Sequence, residues 1–229
     1  MWSKAAALAA AFALAACRTE STEPQFPKAH RPVAPIVGDT FSTEDARDRL
    51  GEAEQVMQLA GIKPGMSVAD VGAGGGYYTV KLARIVGPTG RVLAEDIVPD
   101  TRDRLSDRIQ RENLDNVAVK LGTQDNPMLP HASFDRVFLV HMYHEVASPY
   151  AFLWHLRDGV KPDGLIVVVD SNRPVQRHGI PPAQLKCELG ALGLTPVKFS
   201  FLTGGETYFM AFKLDGPRPE PDKIQACKS

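Results

Sequence analysis

Apolar residues are spaced in two ways along this chain, and their alternation predicts its fold. Leu50, Ala53, Val56, Met57 and Ala60 recur at three- and four-residue intervals, the stripe of one helical face. Ser42-Thr43-Glu44-Asp45 supplies a cap in front of them, and Gly61 and Pro64-Gly65 end the helix. The apolar run Ser67-Val68-Ala69 then predicts a first strand. Beyond it the pattern gives a helix over Tyr78 to Val86, a strand over Arg91 to Ala94 and a helix over Thr101 to Glu112. Strands follow at Val117 to Leu121 and Phe134 to Val140, then a helix at Tyr150 to Val160 and a strand at Leu165 to Val169. Short apolar strands separated by helices predict a parallel sheet covered on both faces. The end of the chain differs. A helix over Ala183 to Leu192 precedes two strands, Pro196 to Leu202 and Glu206 to Leu214, joined at Gly204-Gly205 as an antiparallel hairpin. No internal repeat is seen.

The N-terminus stands apart from this pattern. Lys4 precedes an unbroken apolar run from Ala5 to Ala16, too short for a bilayer-spanning helix of about 20 residues and of the length of a secretory core. It ends in Leu14-Ala15-Ala16-Cys17, which resembles the bacterial lipoprotein box. That resemblance implies cleavage before Cys17, lipidation of Cys17, and a protein held on a membrane facing the periplasm. Arg18 follows the cysteine, where an aspartate would resemble an inner-membrane retention signal, so the outer membrane is the default. The organisation expected is a signal peptide over 1–16, a flexible Pro- and Thr-rich tether over 17–40, a domain over 41–214 and an irregular tail over 215–229. Cys187 and Cys227 remain, and the sequence fits a bridge and two separate thiols equally.

The chain has 229 residues, 44% hydrophobic and 23% charged, enough for one globular domain with an adequate core. Its net charge of −1 gives no sign of a nucleic-acid partner, because phosphate binding needs a basic surface.

The chemistry concentrates in Asp70-Val71-Gly72-Ala73-Gly74-Gly75-Gly76, an acid and a glycine-rich turn between a strand and a helix. Such a turn brings backbone amides against a ligand with no Cβ in the way. A nicotinamide dinucleotide fingerprint would need glycine at position 77, where the chain has Tyr77. The pattern instead resembles the first motif of class I S-adenosylmethionine-dependent methyltransferases. The likeness extends to Gly90-Arg91-Val92-Leu93-Ala94-Glu95-Asp96, Leu129 to Asp135 and Leu156 to Gly164, with Asp163 where the family usually has glycine. It spans about Arg47 to Leu214. It implies a doubly wound α/β fold: a mostly parallel, seven-stranded, Rossmann-like sheet with its last strand reversed.

The resemblance also implies a cofactor, S-adenosyl-L-methionine, and places residues around it. Asp70, Gly72, Ala73, Gly74 and Gly76 wrap its amino-acid half. Asp96 takes the ribose, with Glu95 one position away, and Ile97 packs on the adenine. Asp125 is the candidate for the adenine amino group, although Asp and Asn are also ordinary turn formers. His141-Met142-Tyr143-His144-Glu145 ends the fourth strand beside the transferred methyl, with His141 nearer the cofactor. Tyr143 and His144 are the candidate catalytic residues, since methyl transfer asks the protein for positioning and a base. No metal site is assigned; one would need His155 or His178 to join His141 and His144. The expected function is a lipid-anchored methyltransferase acting on a small-molecule acceptor. A non-catalytic binding module of the same fold is the alternative.

Overall fold

The computed structural model describes residues 24–37 and 43–228. The expected signal peptide and Cys17 lie outside the described residues. Among the described residues no helix is long and apolar enough to cross a membrane.

Seven strands make one sheet: β1 (Ser67–Val71), β2 (Arg91–Asp96), β3 (Val117–Leu121), β4 (Phe134–Val140), β5 (Val160–Ser171), β6 (Leu194–Phe201) and β7 (Thr207–Leu214). Their spatial order is β3-β2-β1-β4-β5-β7-β6. The first five are parallel, and β7 runs antiparallel to both β5 and β6. This is the expected architecture. Six helices flank the sheet: α1 (Glu44–Arg49), α2 (Glu52–Ala60), α3 (Tyr77–Val86), α4 (Pro99–Arg111), α5 (Pro149–Asp158) and α6 (Pro182–Gly190).

Alternate residues of the central strands feed two cores, as the two-residue period of a strand requires. On one face Ala69, Val137, Leu139, Val168 and Met210 pack against Leu153 and Leu156 of α5 and Leu185 and Leu189 of α6. On the other, Val68, Phe138, Val167, Val169 and Phe209 meet Val56 of α2 and Leu82 and Val86 of α3. Each fully buried side chain of this kind stabilises the fold by roughly 1.5–3 kcal/mol, so the doubled hydrophobic strands carry both layers.

Three expectations change. The single helix predicted before β1 breaks at Gly51, which takes a left-handed φ of 60° and separates α1 from α2. Residues 161–164, expected between the helix ending at Val160 and the strand starting at Leu165, belong to β5, where the β4–β5 register shifts between Phe134 and Arg136. Residues 24–37, expected as flexible tether, pack on the domain. Arg31 is buried and its Nε donates to Glu188 Oε1 over 2.8 Å, and the Ala34 amide donates to the His144 carbonyl over 3.1 Å. After β7 the C-terminal segment carries the 3-10 turn Pro221–Lys223. It is also pinned, because Cys187 and Cys227 form a disulfide.

Candidate functional site

β1 lies between β2 and β4, so the chain winds outward in both directions from the β1–β4 junction. Ligands of open α/β sheets occupy the crevice outside the strand carboxyl ends at such a point. Here that crevice is a cavity of about 820 Å³, walled by the loops after β1, β2, β3 and β4, by residues 33–37 and by Thr203–Gly204.

One half of the cavity is acidic. Asp96 ends β2 with its carboxylate fixed by two amides: Gly74 N donates to Oδ2 over 3.0 Å and Val98 N donates to Oδ1 over 2.9 Å. The glycine turn and the β2 acid are thereby one unit. Asp70 is almost fully buried at the end of β1, and burial raises its carboxyl to about 6 against the Thr79 hydroxyl, which donates to it over 2.6 Å. Glu95 is raised to about 8, first by burial and then by the neighbouring charge of Asp96. Its Oε1 is buried with no hydrogen-bond partner among the described residues. Burial outweighs the nearby Arg47 and Lys120 charges at Asp70 and Glu95, so a cationic ligand at this end of the cavity would favour their ionised forms.

Of the residues assigned to the cofactor, Asp70, Gly72, Ala73, Gly74, Asp96, Ile97 and His141 line the cavity. Gly76 and Asp125 do not, and both assignments are corrected. Gly76 opens α3 at a φ of 86°, and a Cβ there would fall 2.4 Å from Leu105 Cδ1, so its glycine serves the packing of α4. Asp125 is exposed and accepts from the Thr123 hydroxyl over 3.1 Å as a turn residue, leaving Thr123 and Gln124 on the cavity wall. Gly72 is constrained as well, since a Cβ would meet Met142 Cγ at 2.9 Å.

The other half of the cavity is built from the segment after β4, and here the two candidate catalytic residues part company. Tyr143 is corrected. It is wholly buried, its hydroxyl donates to Glu188 Oε2 over 2.7 Å, and burial with the Glu188 charge raises its phenol well above the usual value. It anchors a loop and does not reach the cavity. His144 does line the cavity, and its Nδ1 lies 3.0 Å from both Oδ1 and Oδ2 of Asp170 at the end of β5. Asp170 is a carboxylate acceptor, so Nδ1 carries the proton and Nε2 is left for the cavity.

Asp170, Arg47 and Glu52 are not singled out by the sequence, where Glu145 appears only within the segment after β4 and His178 only as a metal-ligand candidate. Asp170 was hidden within an apolar strand. Glu145 and His178 bring polar atoms beside His144, and burial raises the Glu145 carboxyl while burial and then His144 lower His178. Arg47 sits 4.3 Å from the Tyr77 ring centroid and donates to Glu52 Oε1 over 3.0 Å and 2.7 Å. Although burial pushes Glu52 up, hydrogen bonding to His141 and the charges of His141 and Arg47 hold it down at about 2. One signal was available only in three dimensions. Among the described non-glycine residues five adopt positive φ, and two of these, His141 (53°) and His178 (55°), line the cavity. Such strain collects at functional sites.

Comparison with known proteins places this geometry in a family. Residues 50–178 match the family model for protein-L-isoaspartate(D-aspartate) O-methyltransferase. The protein-L-isoaspartate O-methyltransferase of Ignicoccus hospitalis is 28% identical over 119 residues, covering 52% of this chain and 54% of that protein. The ubiquinone/menaquinone biosynthesis C-methyltransferase of Ectopseudomonas mendocina is 34% identical over 125 residues, covering 52% of this chain and 46% of that protein. The chain thus spans about half the length of these curated relatives. The crystal structure of a SAM-dependent methyltransferase from Aquifex aeolicus superposes with a TM-score of 0.69 at 24% identity, covering 74% of this chain and 93% of that one, and shows the same fold.

Proposed function

Since the chain belongs to the protein-L-isoaspartate(D-aspartate) O-methyltransferase family, we propose that it binds S-adenosyl-L-methionine and transfers the methyl group to a small-molecule acceptor. The observation that carries this reading is the Asp96 carboxylate, held by the Gly74 and Val98 amides at the mouth of the β1–β4 crevice. Bound there, the cofactor supplies an activated methyl group; the chain supplies position. Asp96 retains lone pairs for ribose hydroxyls. Asp70 and Glu95 meet positive charge, which offsets the cost that burial places on their ionised forms. His144 presents Nε2, fixed by Asp170, to the acceptor. Residues 33–37 line one side of the cavity.

The acceptor class follows from where the walls come from. Residues 33–37, Thr43, Glu44, Ala46, Arg47 and Thr203–Gly204 line the cavity and fall outside the matched 50–178. Those walls add apolar Val33 and Ile36 to a cavity that Phe152 also lines, which suits a small molecule with an apolar part. The family match favours a second reading, a protein acceptor.

Both are tested with the purified full chain. Calorimetry with S-adenosylmethionine, S-adenosylhomocysteine and NAD should show binding of the first two. Labelled methyl groups should then appear in the small-molecule fraction of cell extracts. Label in protein would favour the second reading, and cofactor binding with no labelled acceptor would favour a non-catalytic binding module.

The same reading includes the anchor. Cys17 carries lipid and holds the domain at a membrane facing the periplasm, a placement that the Cys187–Cys227 disulfide supports because such bridges persist in oxidising compartments. Cys17→Ser should move the protein from the membrane fraction to the soluble one. An unmodified Cys17 by mass spectrometry refutes the anchor without touching the enzyme.

A further inference from the structure

At the acceptor end of the cavity one ligand atom each from His144, Glu145 and His178 lies within 4.8 Å of the other two. His178 Nδ1 is 4.0 Å from Glu145 Oε1, and the two imidazole rings meet edge to face with centroids 5.6 Å apart. A point centred among three atoms so spaced is no more than about 2.8 Å from each. Contraction of under about 1 Å therefore reaches the ~2.0–2.2 Å of zinc–nitrogen and zinc–oxygen bonds. The three side chains come from two loops, after β4 and after β5, and all face the cavity. Behind them stands the support that a ligating histidine needs. Nδ1 of His144 is held by the wholly buried Asp170, which fixes the ring and leaves Nε2 for an ion. His178 is held in place by a left-handed backbone at its own position.

We infer that His144, Glu145 and His178 bind one divalent transition-metal ion of the zinc class in the floor of the cavity. Two imidazoles and one carboxylate form the donor set of borderline-soft divalent ions, and the cavity side leaves the remaining coordination positions open. Magnesium and calcium, which prefer oxygen throughout, do not suit it. This rests on the methyl-transfer reading and deepens it: the ion would stand between His144 Nε2 and the acceptor, and its open positions would take an acceptor oxygen, which narrows the acceptor to a small, largely apolar molecule bearing a hydroxyl or carboxylate near the methylated atom.

The test uses the full chain, purified without a histidine tag, stripped with a chelator and dialysed. Zinc alone is titrated against a chromophoric competitor, and cobalt is added separately to read its visible absorption. About one equivalent should bind, and cobalt should give the bands of a low-coordinate nitrogen–oxygen site. Glu145→Gln and His178→Ala should each weaken binding by at least about 10-fold, and Asp170→Asn by about 10- to 100-fold. Glu145→Gln preserves shape, so it carries the test even where His178→Ala fails to fold. Absence of binding, or affinity unchanged in Glu145→Gln, overturns the site. Calorimetry with S-adenosylmethionine separates the two readings. Zinc bound without cofactor affinity would sink methyl transfer and keep the site, whereas cofactor bound without zinc would sink the site alone.

Discussion

Nδ1 of His144 is 3.0 Å from each carboxylate oxygen of Asp170, and both side chains are buried, one in the 3-10 turn that follows β4 and the other near the end of β5. That contact turns a histidine into a directed group: one nitrogen is committed to the protein and the other to the cavity. Asp170 also accepts from the Ser171 amide over 2.7 Å, so its own position is fixed.

Asp170→Asn should therefore lower methyl transfer by about 10- to 100-fold, the usual cost of removing a carboxylate behind a working histidine. Cofactor affinity should stay as in wild type, because Asp170 belongs to the acceptor half. Steady-state rates alongside calorimetry check this. A parallel loss of cofactor binding would show that Asp170 supports the whole cavity instead.

Asp96→Ala should act in the opposite way. It removes the acceptor proposed for the ribose hydroxyls and frees the Gly74 amide, loosening the glycine turn from β2. Loss of a hydrogen bond to a charged group costs roughly 1.5–3 kcal/mol, or about 10- to 150-fold in dissociation constant. Titration with S-adenosylhomocysteine measures it directly.

Glu95 sets a pH dependence of stability. Its folded-state carboxyl is raised to about 8, against roughly 4.3 in the unfolded chain. Between those values the folded state holds the proton more tightly, so stability falls as pH rises, with a slope of at most about 1.4 kcal/mol per pH unit for one proton. Glu95→Gln should remove this slope. Urea midpoints of wild type and variant without ligand should diverge from pH 5 to pH 8, with the variant gaining.

Tyr143→Phe distinguishes anchoring from catalysis. The Tyr143 hydroxyl donates to Glu188, which also receives Arg31 Nε and Gln184 Nε2, so the variant leaves Glu188 one donor short in a buried setting. We expect a loss of roughly 1–3 kcal/mol in folding stability, with the rate per folded molecule almost unchanged. A large fall in rate with a wild-type unfolding midpoint would contradict the buried placement of the hydroxyl.

The sequence by itself determined the order of strands and helices, because burial on two faces writes continuous apolar strands and burial on one face writes helical stripes. It also marked the residues proposed to hold the cofactor. Asp70, the glycine turn and Asp96 lie within about 25 residues of one another, and a parallel sheet brings successive strand ends to one edge. Local rules could not say which glycine faces the ligand. Gly76 is glycine because of Leu105, a contact made across two helices. Only the tertiary structure decided the acceptor half. Tyr143 and His144 are adjacent in sequence, but the 3-10 turn they share sends one hydroxyl to α6 and one imidazole to the cavity. Asp170 and His178 reach His144 from the far side of a strand crossover, and residues 24–37 fold back over the loop through Arg31. Those pairings join residues between 26 and 157 positions apart. No periodicity encodes them, because packing fixes them only once the sheet exists.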